Sequence, residues 1–158
     1  MTLEKHNKFN LAENQLEAAI GLFVSGGDKF SVVTLAGAAD VILCQLVLNR
    51  GEENFTQISL KNEMERCDTT GTIKSHGKEI NDLFFINHLK HMDKGEDGYI
   101  ELDPDECAVG AILKALANYV IIGSREKDFV QAFMAWVQIN LDPKKYNIYG
   151  DPEWKPTT

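Results

Sequence analysis

Cysteine is scarce in this chain of 158 residues, and its three positions follow no recognisable pattern. Cys44, Cys67 and Cys107 lie far apart and form no C-x-x-C pair. An odd number of widely spaced cysteines argues against a disulfide framework and is typical of a reducing compartment. The N-terminal segment, residues 1–10, is polar and lacks the apolar stretch of a signal peptide. We therefore expect a cytoplasmic protein.

An excess of positive charge is also missing. The chain has 16 lysines and arginines against 24 aspartates and glutamates, which gives a formal net charge of -8. A surface that attracts nucleic acid or anionic lipid over a long range is normally basic. The composition therefore favours no nucleic-acid partner and no binding to a membrane surface.

The alternation of apolar and polar residues that marks β-strands is nearly absent, because it lasts for four residues at most, at 99–102. Helical periodicity recurs throughout, and the sequence predicts an all-α, single-domain bundle of five or six helices over residues 11–146. An irregular C-terminal tail is expected at 147–158. The predicted helices cover 11–24, about 28–49 with Asp28 or Ser31 as its cap, 56–67, 75–92, a segment from the Asp103 cap to Gly123, and a segment from the Ser124 cap to about Leu141. A turn is expected at 68–71, and the fourth helix is expected to be largely buried. The predicted core face is Val109, Ile112, Leu113, Leu116 and Val120 in the fifth helix, and Phe129, Phe133, Trp136 and Val137 in the sixth.

The most apolar segment, residues 30–48, is nearly long enough to span a bilayer. It carries Asp40 near its centre, and a charged residue in the middle of a membrane costs about 2.5–3.5 kcal/mol even on a lenient scale. We therefore predict a helix buried inside a protein, in which Asp40 has a buried or interfacial hydrogen-bond partner. Small residues around Gly37 allow close packing, so the helix is either central or the contact of a homodimer.

The acidic loop at 93–103 resembles a calcium-binding loop without meeting its requirements. If Asp93 is position 1 of an EF-hand, Gly95 stands at position 3, and position 12, which needs a bidentate glutamate, is Pro104. No other register places the ligands correctly. The sequence therefore predicts an acidic connecting loop that does not bind calcium.

A transition-metal site is a further possibility, because His88 and His91 are spaced three residues apart on a predicted helix. Asp93 or Asp97 could add oxygen ligands to such a pair. The H-E-x-x-H pattern of zinc proteases is absent. The favoured interpretation is that His91 is a hydrogen-bonded core residue and that His88 is partly exposed, with no cofactor.

No residue is assigned a catalytic role. Cys107 lies in the first turn of the predicted fifth helix, where the helix dipole can lower the pKa of a thiol, but no base accompanies it in the sequence. A structural role is the expected one for all three cysteines. Glycine-rich phosphate loops, the G-x-S-x-G elbow and the dinucleotide-binding fingerprint are all absent from the sequence.

Three blocks carry a family resemblance: LEAAIGLFVSGGDKFSVVTLAGAADVIL at 16–43, LFFINHLKHMDKGEDGYIELDPDE at 83–106 and AFMAWVQINLDPKKY at 132–146. They resemble a group of uncharacterised, mostly bacterial helical proteins with T-L-A-x-A-A and F-F-x-H-x-D blocks. The architecture is also similar to that of HEPN helical-bundle domains. Those that cut RNA have a histidine four to six residues after an arginine, whereas Arg66 and His76 are too far apart. The resemblance therefore implies a non-catalytic member.

The leading hypothesis is a helical-bundle protein that acts by binding an unknown protein or small molecule, or by self-association. A possible homodimer would form through the apolar helix around Gly37. One alternative is a HEPN-type ribonuclease with an altered motif. A second alternative is a metal-binding protein that uses His88, His91 and Asp93.

Overall fold

The computed structural model describes residues 2–66 and 71–148. These residues form six α-helices and no β-strand, which confirms the predicted all-α class. Cys67, the turn predicted around 68–70 and the part of the predicted tail that contains Trp154 lie outside the described residues. The helices are α1 (Lys8–Val24), α2 (Lys29–Asn49), α3 (Phe55–Arg66), α4 (Ile73–Leu83), α5 (Pro104–Ile122) and α6 (Asp128–Asn140).

The chain divides into two compact units, Met1–Ser124 and Arg125–Thr158. In the first unit α2 packs against both α1 and α5, so it is the central helix of the core. Each of the three helices contributes fully buried apolar side chains, whose removal from water stabilises the fold. Among these buried residues are Leu16 and Ile20 of α1, Val32, Val33, Leu43 and Val47 of α2, and Ile112 and Tyr119 of α5.

Two of the predicted caps explain where the core helices begin. The Asp28 carboxylate accepts a hydrogen bond from Ser31 N at 2.7 Å, and the Asp103 carboxylate accepts one from Glu106 N at 3.1 Å. These bonds satisfy backbone donors that a first helical turn leaves unpaired. The third predicted cap is wrong, because Ser124 precedes a short turn and α6 starts after Lys127 instead.

The predicted fourth helix is wrong beyond Leu83, where α4 ends. Residues 84–90 continue as turns, and Phe85 has a φ of +54° that an α-helix cannot contain. In a helix the side chains of Phe84 and Ile86 would diverge by about 200°, because successive residues turn by about 100°. The irregular backbone brings both side chains against glycines of the core instead, at Gly110 and Gly37.

The prediction that the fourth helix is largely buried is also wrong, and with it the placement of His91 in the core. Within α4, which is described in full, no residue is buried, and His91 lies in an exposed stretch that continues through the acidic loop. The predicted core face of α5 is correct at Ile112 and Leu116, whereas Leu113 is exposed.

The second unit contains α6, whose start carries Asp128, a favourable charge at the positive end of the helix dipole. The Phe133 and Trp136 rings stack with centroids 6.2 Å apart. The predicted apolar stripe of this helix is confirmed at Phe129, Phe133 and Val137, which are buried.

Candidate functional site

A buried polar cluster centres on Asp40, in the middle of α2. Asp40 and Lys114 are both 4% exposed, and Asn118 is fully buried. Lys114 Nζ donates to Asp40 Oδ2, and Asn118 Nδ2 donates to Asp40 Oδ1 at 2.8 Å. Lys114 and Asn118 are four residues apart on α5, so both face α2. The predicted partner of Asp40 is thereby confirmed, and each oxygen of its carboxylate is hydrogen-bonded.

The same cluster fixes the start of α3. Asn118 Oδ1 accepts a hydrogen bond from Phe55 N at 2.8 Å, so one amide side chain connects α5, α2 and α3. Asn54, which is buried, donates from Nδ2 to Cys44 Sγ at 3.0 Å. The Asn54 side chain also accepts from Gln57 N at 3.0 Å. The polar residues therefore determine how three helices are joined.

A second lysine approaches the cluster from outside α2 and α5. Lys90 Nζ lies 3.3 Å from the position that a Cβ of Gly37 would occupy, one helical turn before Asp40. Burial lowers the pKa of Lys90, the negative charge of Asp40 opposes this effect, and the positive charge of Lys114 adds to it. Lys90 is therefore a second cation that the charge of Asp40 influences, although the residue itself is exposed.

Cys44 and Cys107 are poor nucleophiles. Burial raises the pKa of Cys44, as does the charge of Asp40, while Lys114 partly compensates. Burial also raises the pKa of Cys107, and the charges of Asp103 and Glu106 add to this increase. Because the thiolate is the reactive form, both residues fit the structural role expected for them.

The residues considered for a metal lie at the surface. His88 Nε2 is 3.9 Å from Asp82 Oδ1, and the His88 side chain is about half exposed. His91, Asp93 and Asp97 are exposed, the last two in the acidic loop. Throughout residues 2–66 and 71–148, no group of three or more histidine, cysteine, aspartate or glutamate side chains is placed to hold a metal ion.

The most buried of the four histidines is His76, to which the sequence patterns assign no role. His76 on α4 is 11% exposed in its side chain; its Nε2 lies 3.0 Å from Ser59 Oγ and its Nδ1 lies 3.1 Å from Glu63 Oε2. Ser59 and Glu63 are four residues apart on α3 and therefore face the same side. The spacing of Ser59 and Glu63 could have indicated a pair of hydrogen-bond partners on one side of α3. Nothing in the sequence indicates which histidine binds to them. His76 joins α3 to α4.

An open groove with a volume of about 400 Å³ follows the same helix pair. Its floor is apolar, and its rim carries both charge signs. Asp40, Lys114 and Asn118 do not line it, so the groove is separate from the centre of the polar cluster. The lining residues are Glu53, Gln57, Leu60, Lys61, Met64, Glu65 and Ile73.

One side of α2 exposes apolar residues. Phe30, Val41 and Leu48 lie on one stripe, because separations of 11 and 7 residues are close to whole helical turns. We call these three residues the α2 outer face. Val41 is 63% exposed, and the other two are partly exposed. Single exposed apolar residues are common on protein surfaces, whereas a stripe of them on one helix is typical of an interaction site.

Within the described residues, α2 is one helix with the length and apolar composition that a membrane span requires, and 44% of its most apolar stretch is buried in the protein. A core helix has the same two properties. The ion pair between Asp40 and Lys114 supports this second interpretation, because it ties the middle of α2 to α5.

Comparison with known proteins leaves the site without assigned roles. No protein-family model matches the chain, and no curated protein or solved structure is significantly similar to it. The resemblances carried by the three sequence blocks stay predictions.

Proposed function

We propose that this protein acts by self-association, without catalysis of its own, and that two copies meet through the α2 outer face. The observation that carries the proposal is the incomplete burial of an apolar central helix, of which 44% of the most apolar stretch is buried. Apolar area left in water costs about 25 cal/mol per Å². A second copy that covers Val41 and its neighbours would remove this cost.

Charge supports a second copy as the occupant of this face. The chain has a net charge of -8, so two copies repel each other over most orientations. Between Phe30 and Leu48 the one charged residue is Asp40, which is buried and paired with Lys114. The α2 outer face is therefore a place where like-charged copies can approach closely. A two-fold axis would match the stripe with itself.

The buried ion pair supports a protein partner over a lipid one. If α2 entered a bilayer by itself, Asp40 would separate from Lys114 and Asn118, which reside on α5. A charge that loses its partner in an apolar medium has a large cost. Packing of a second copy leaves these contacts intact.

The proposed contact differs in one respect from a dimer centred on Gly37. A methyl group on Gly37 would lie 2.6 Å from Ile86 Cγ2 of the same chain, so this position is already covered. The exposed residues on either side of it, Phe30 and Val41 with Leu48, provide the proposed contact instead.

The test is the molar mass in solution of the wild type and of Val41→Asp, measured by sedimentation. We expect the wild type to reach twice the 17.7 kDa of one chain at micromolar concentration. Val41→Asp places a charge on the stripe and should leave a monomer with unchanged helix content. The matched control is Val24→Asp, which changes an exposed valine of α1 and should stay dimeric. A monomeric wild type, or equal effects of both variants, would refute the proposal.

A further inference from the structure

Residues 84–90, which we call the strap, cross the core between α4 and the acidic loop. Two strap side chains contact glycines on two different helices. The Phe84 ring occupies the space that a side chain of Gly110 on α5 would need, and Ile86 occupies the corresponding space at Gly37 on α2. Glycine permits such close approach because it has no Cβ. We call these two positions the glycine notches.

The strap adopts a costly backbone conformation to reach both notches. Phe85 has a φ of +54° and is the one non-glycine residue with a positive φ in the described part of the chain. The left-handed region is unfavourable for an L-residue, because its Cβ crowds the following carbonyl oxygen. Contacts of Phe84 and Ile86 with the notches must offset this cost whenever the strap is docked.

Little else attaches this part of the chain to α2 and α5. Ile86, at 2% exposure, is the buried residue of the strap, and α4, which the structure covers in full, buries none of its residues. The acidic loop that follows is exposed at 91–101. Regions with few buried contacts open at low free energy compared with the core.

Lys90, the last strap residue, adds a cation beside the buried ion pair when the strap is docked. Its Nζ lies 3.3 Å from the position that a Cβ of Gly37 would occupy, although the residue as a whole is exposed. Burial lowers the pKa of Lys90, the charge of Asp40 raises it, and the charge of Lys114 lowers it. Burial is the largest of these effects, and because it disfavours a charged lysine it opposes docking.

The Gly37 notch lies on the same side of α2 as the α2 outer face. Gly37 is seven residues after Phe30 and four before Val41, so all three share one side of the helix. With the strap docked, Ile86 interrupts the stripe at its middle. With the strap released, Gly37 would be uncovered between Phe30 and Val41, next to its small neighbour Ala38 and to Thr34, which is exposed. Small residues allow two helix backbones to approach closely.

We propose that the strap is a releasable cover that limits self-association, and that its release opens the Gly37 notch to α2 of a second copy. This inference rests on the proposed function. It identifies residues 84–90 as an autoinhibitory segment and Ile86 as the side chain that competes with the second copy.

The test compares Ile86→Ala with Leu83→Ala, which truncates an exposed residue of α4 just before the strap. Two measurements are made on each full-length variant: the rate of tryptic cleavage after Lys90 and Lys94, and the molar mass distribution. We expect Ile86→Ala to be cleaved several-fold faster than the wild type and to form dimers at lower concentration. Leu83→Ala should match the wild type in both measurements.

Gly37→Ala provides a second variant, because alanine favours the helix while its methyl group excludes Ile86. It should also accelerate cleavage. Cleavage at the wild-type rate in both Ile86→Ala and Gly37→Ala would overturn a releasable strap. Faster cleavage with an unchanged mass distribution would overturn its control of self-association, and the result for Val41→Asp would separately decide whether self-association occurs.

Discussion

Lys114 shows how strongly one buried residue constrains this fold. Its ammonium pairs with Asp40 inside the core, and both side chains are 5% exposed. Replacing Lys114 with methionine keeps the volume but leaves the Asp40 carboxylate buried without its countercharge. We expect a loss of about 3–5 kcal/mol in the free energy of unfolding, the range found when one partner of a buried pair is removed.

Chemical denaturation of the two proteins measures this loss. Lys74→Met, at an exposed position of α4, is the matched control and should change stability by no more than about 0.5 kcal/mol. Equal, small effects of both substitutions would mean that Asp40 has an alternative way to be satisfied.

Tyr119 makes stability depend on alkaline pH. Burial, the hydrogen bond from Tyr119 Oη to Glu13 Oε1 and the charge of Glu13 together raise the pKa of this fully buried residue from 10.0 to about 12, and burial is the largest of these causes. The unfolded chain therefore loses this proton first. The contribution of protonated Tyr119 to the free energy of unfolding is complete below pH 10 and is lost as the pH rises to about 12.

We therefore expect Tyr119→Phe to flatten the decline of stability between pH 10 and about 12, as measured by denaturation at a series of pH values. The variant should also be less stable at neutral pH, because it no longer donates to Glu13. Tyr99→Phe is the control, since Tyr99 is 89% exposed and should leave the pH profile unchanged. Identical profiles for wild type and Tyr119→Phe would contradict the prediction.

At the scale of helices, the start of α5 depends on one side chain. Asp103 Oδ1 accepts hydrogen bonds from Asp105 N at 3.0 Å and Glu106 N at 3.1 Å. We expect Asp103→Ala to cost about 0.5–2 kcal/mol of stability, the usual range for loss of an N-cap. Asp93→Ala removes the same charge from the exposed acidic loop and should have little effect in a thermal melt. If Asp93→Ala lowered the melting temperature more than Asp103→Ala, the assignment of Asp103 as the stabilising cap of α5 would be wrong.

The sequence predicted these helices well where local chemistry determines them. The ends of α2 and α5 follow from Asp28, Asp103 and the glycines beyond them, and all of these act within a few residues. The fourth helix failed because its apolar periodicity continues past Leu83, whereas Phe84 and Ile86 contact glycines on other helices. Such long-range contacts override periodicity without leaving a local signal.

The polar cluster was predictable in the same limited sense. A lone aspartate in an apolar helix must have a partner, so the need for one could be deduced from Asp40. Its partners could not be named, because Lys114 is 74 and Asn118 is 78 residues away along the chain. Several other polar residues of the sequence could donate a hydrogen bond to Asp40, and only the folded structure determines which of them do so.

At the scale of the whole molecule, the net charge of -8 opposes binding of a polyanion such as RNA. The acidic loop adds to this effect beside His88 and His91. We expect structured and unstructured RNA to stay intact after incubation with the protein, as judged by gel electrophoresis. His91→Ala serves as the control, and cleavage that this substitution abolishes would support the alternative of a HEPN-type ribonuclease.

The order of the helices along the chain has a consequence for how quickly the core can form. The turn between α1 and α2 covers residues 25–28, whereas residues 50–103 separate α2 from α5. Local pairs form early, and pairs that close a long loop form late because chain entropy opposes them. The α1–α2 hairpin should therefore form first, and α5 should pack against it in a later step.

The entropy cost of closing the loop between α2 and α5 grows slowly, by about 0.6 kcal/mol for each doubling of loop length. The stretch between α2 and α5 can therefore accept insertions in its exposed acidic loop without unfolding the core.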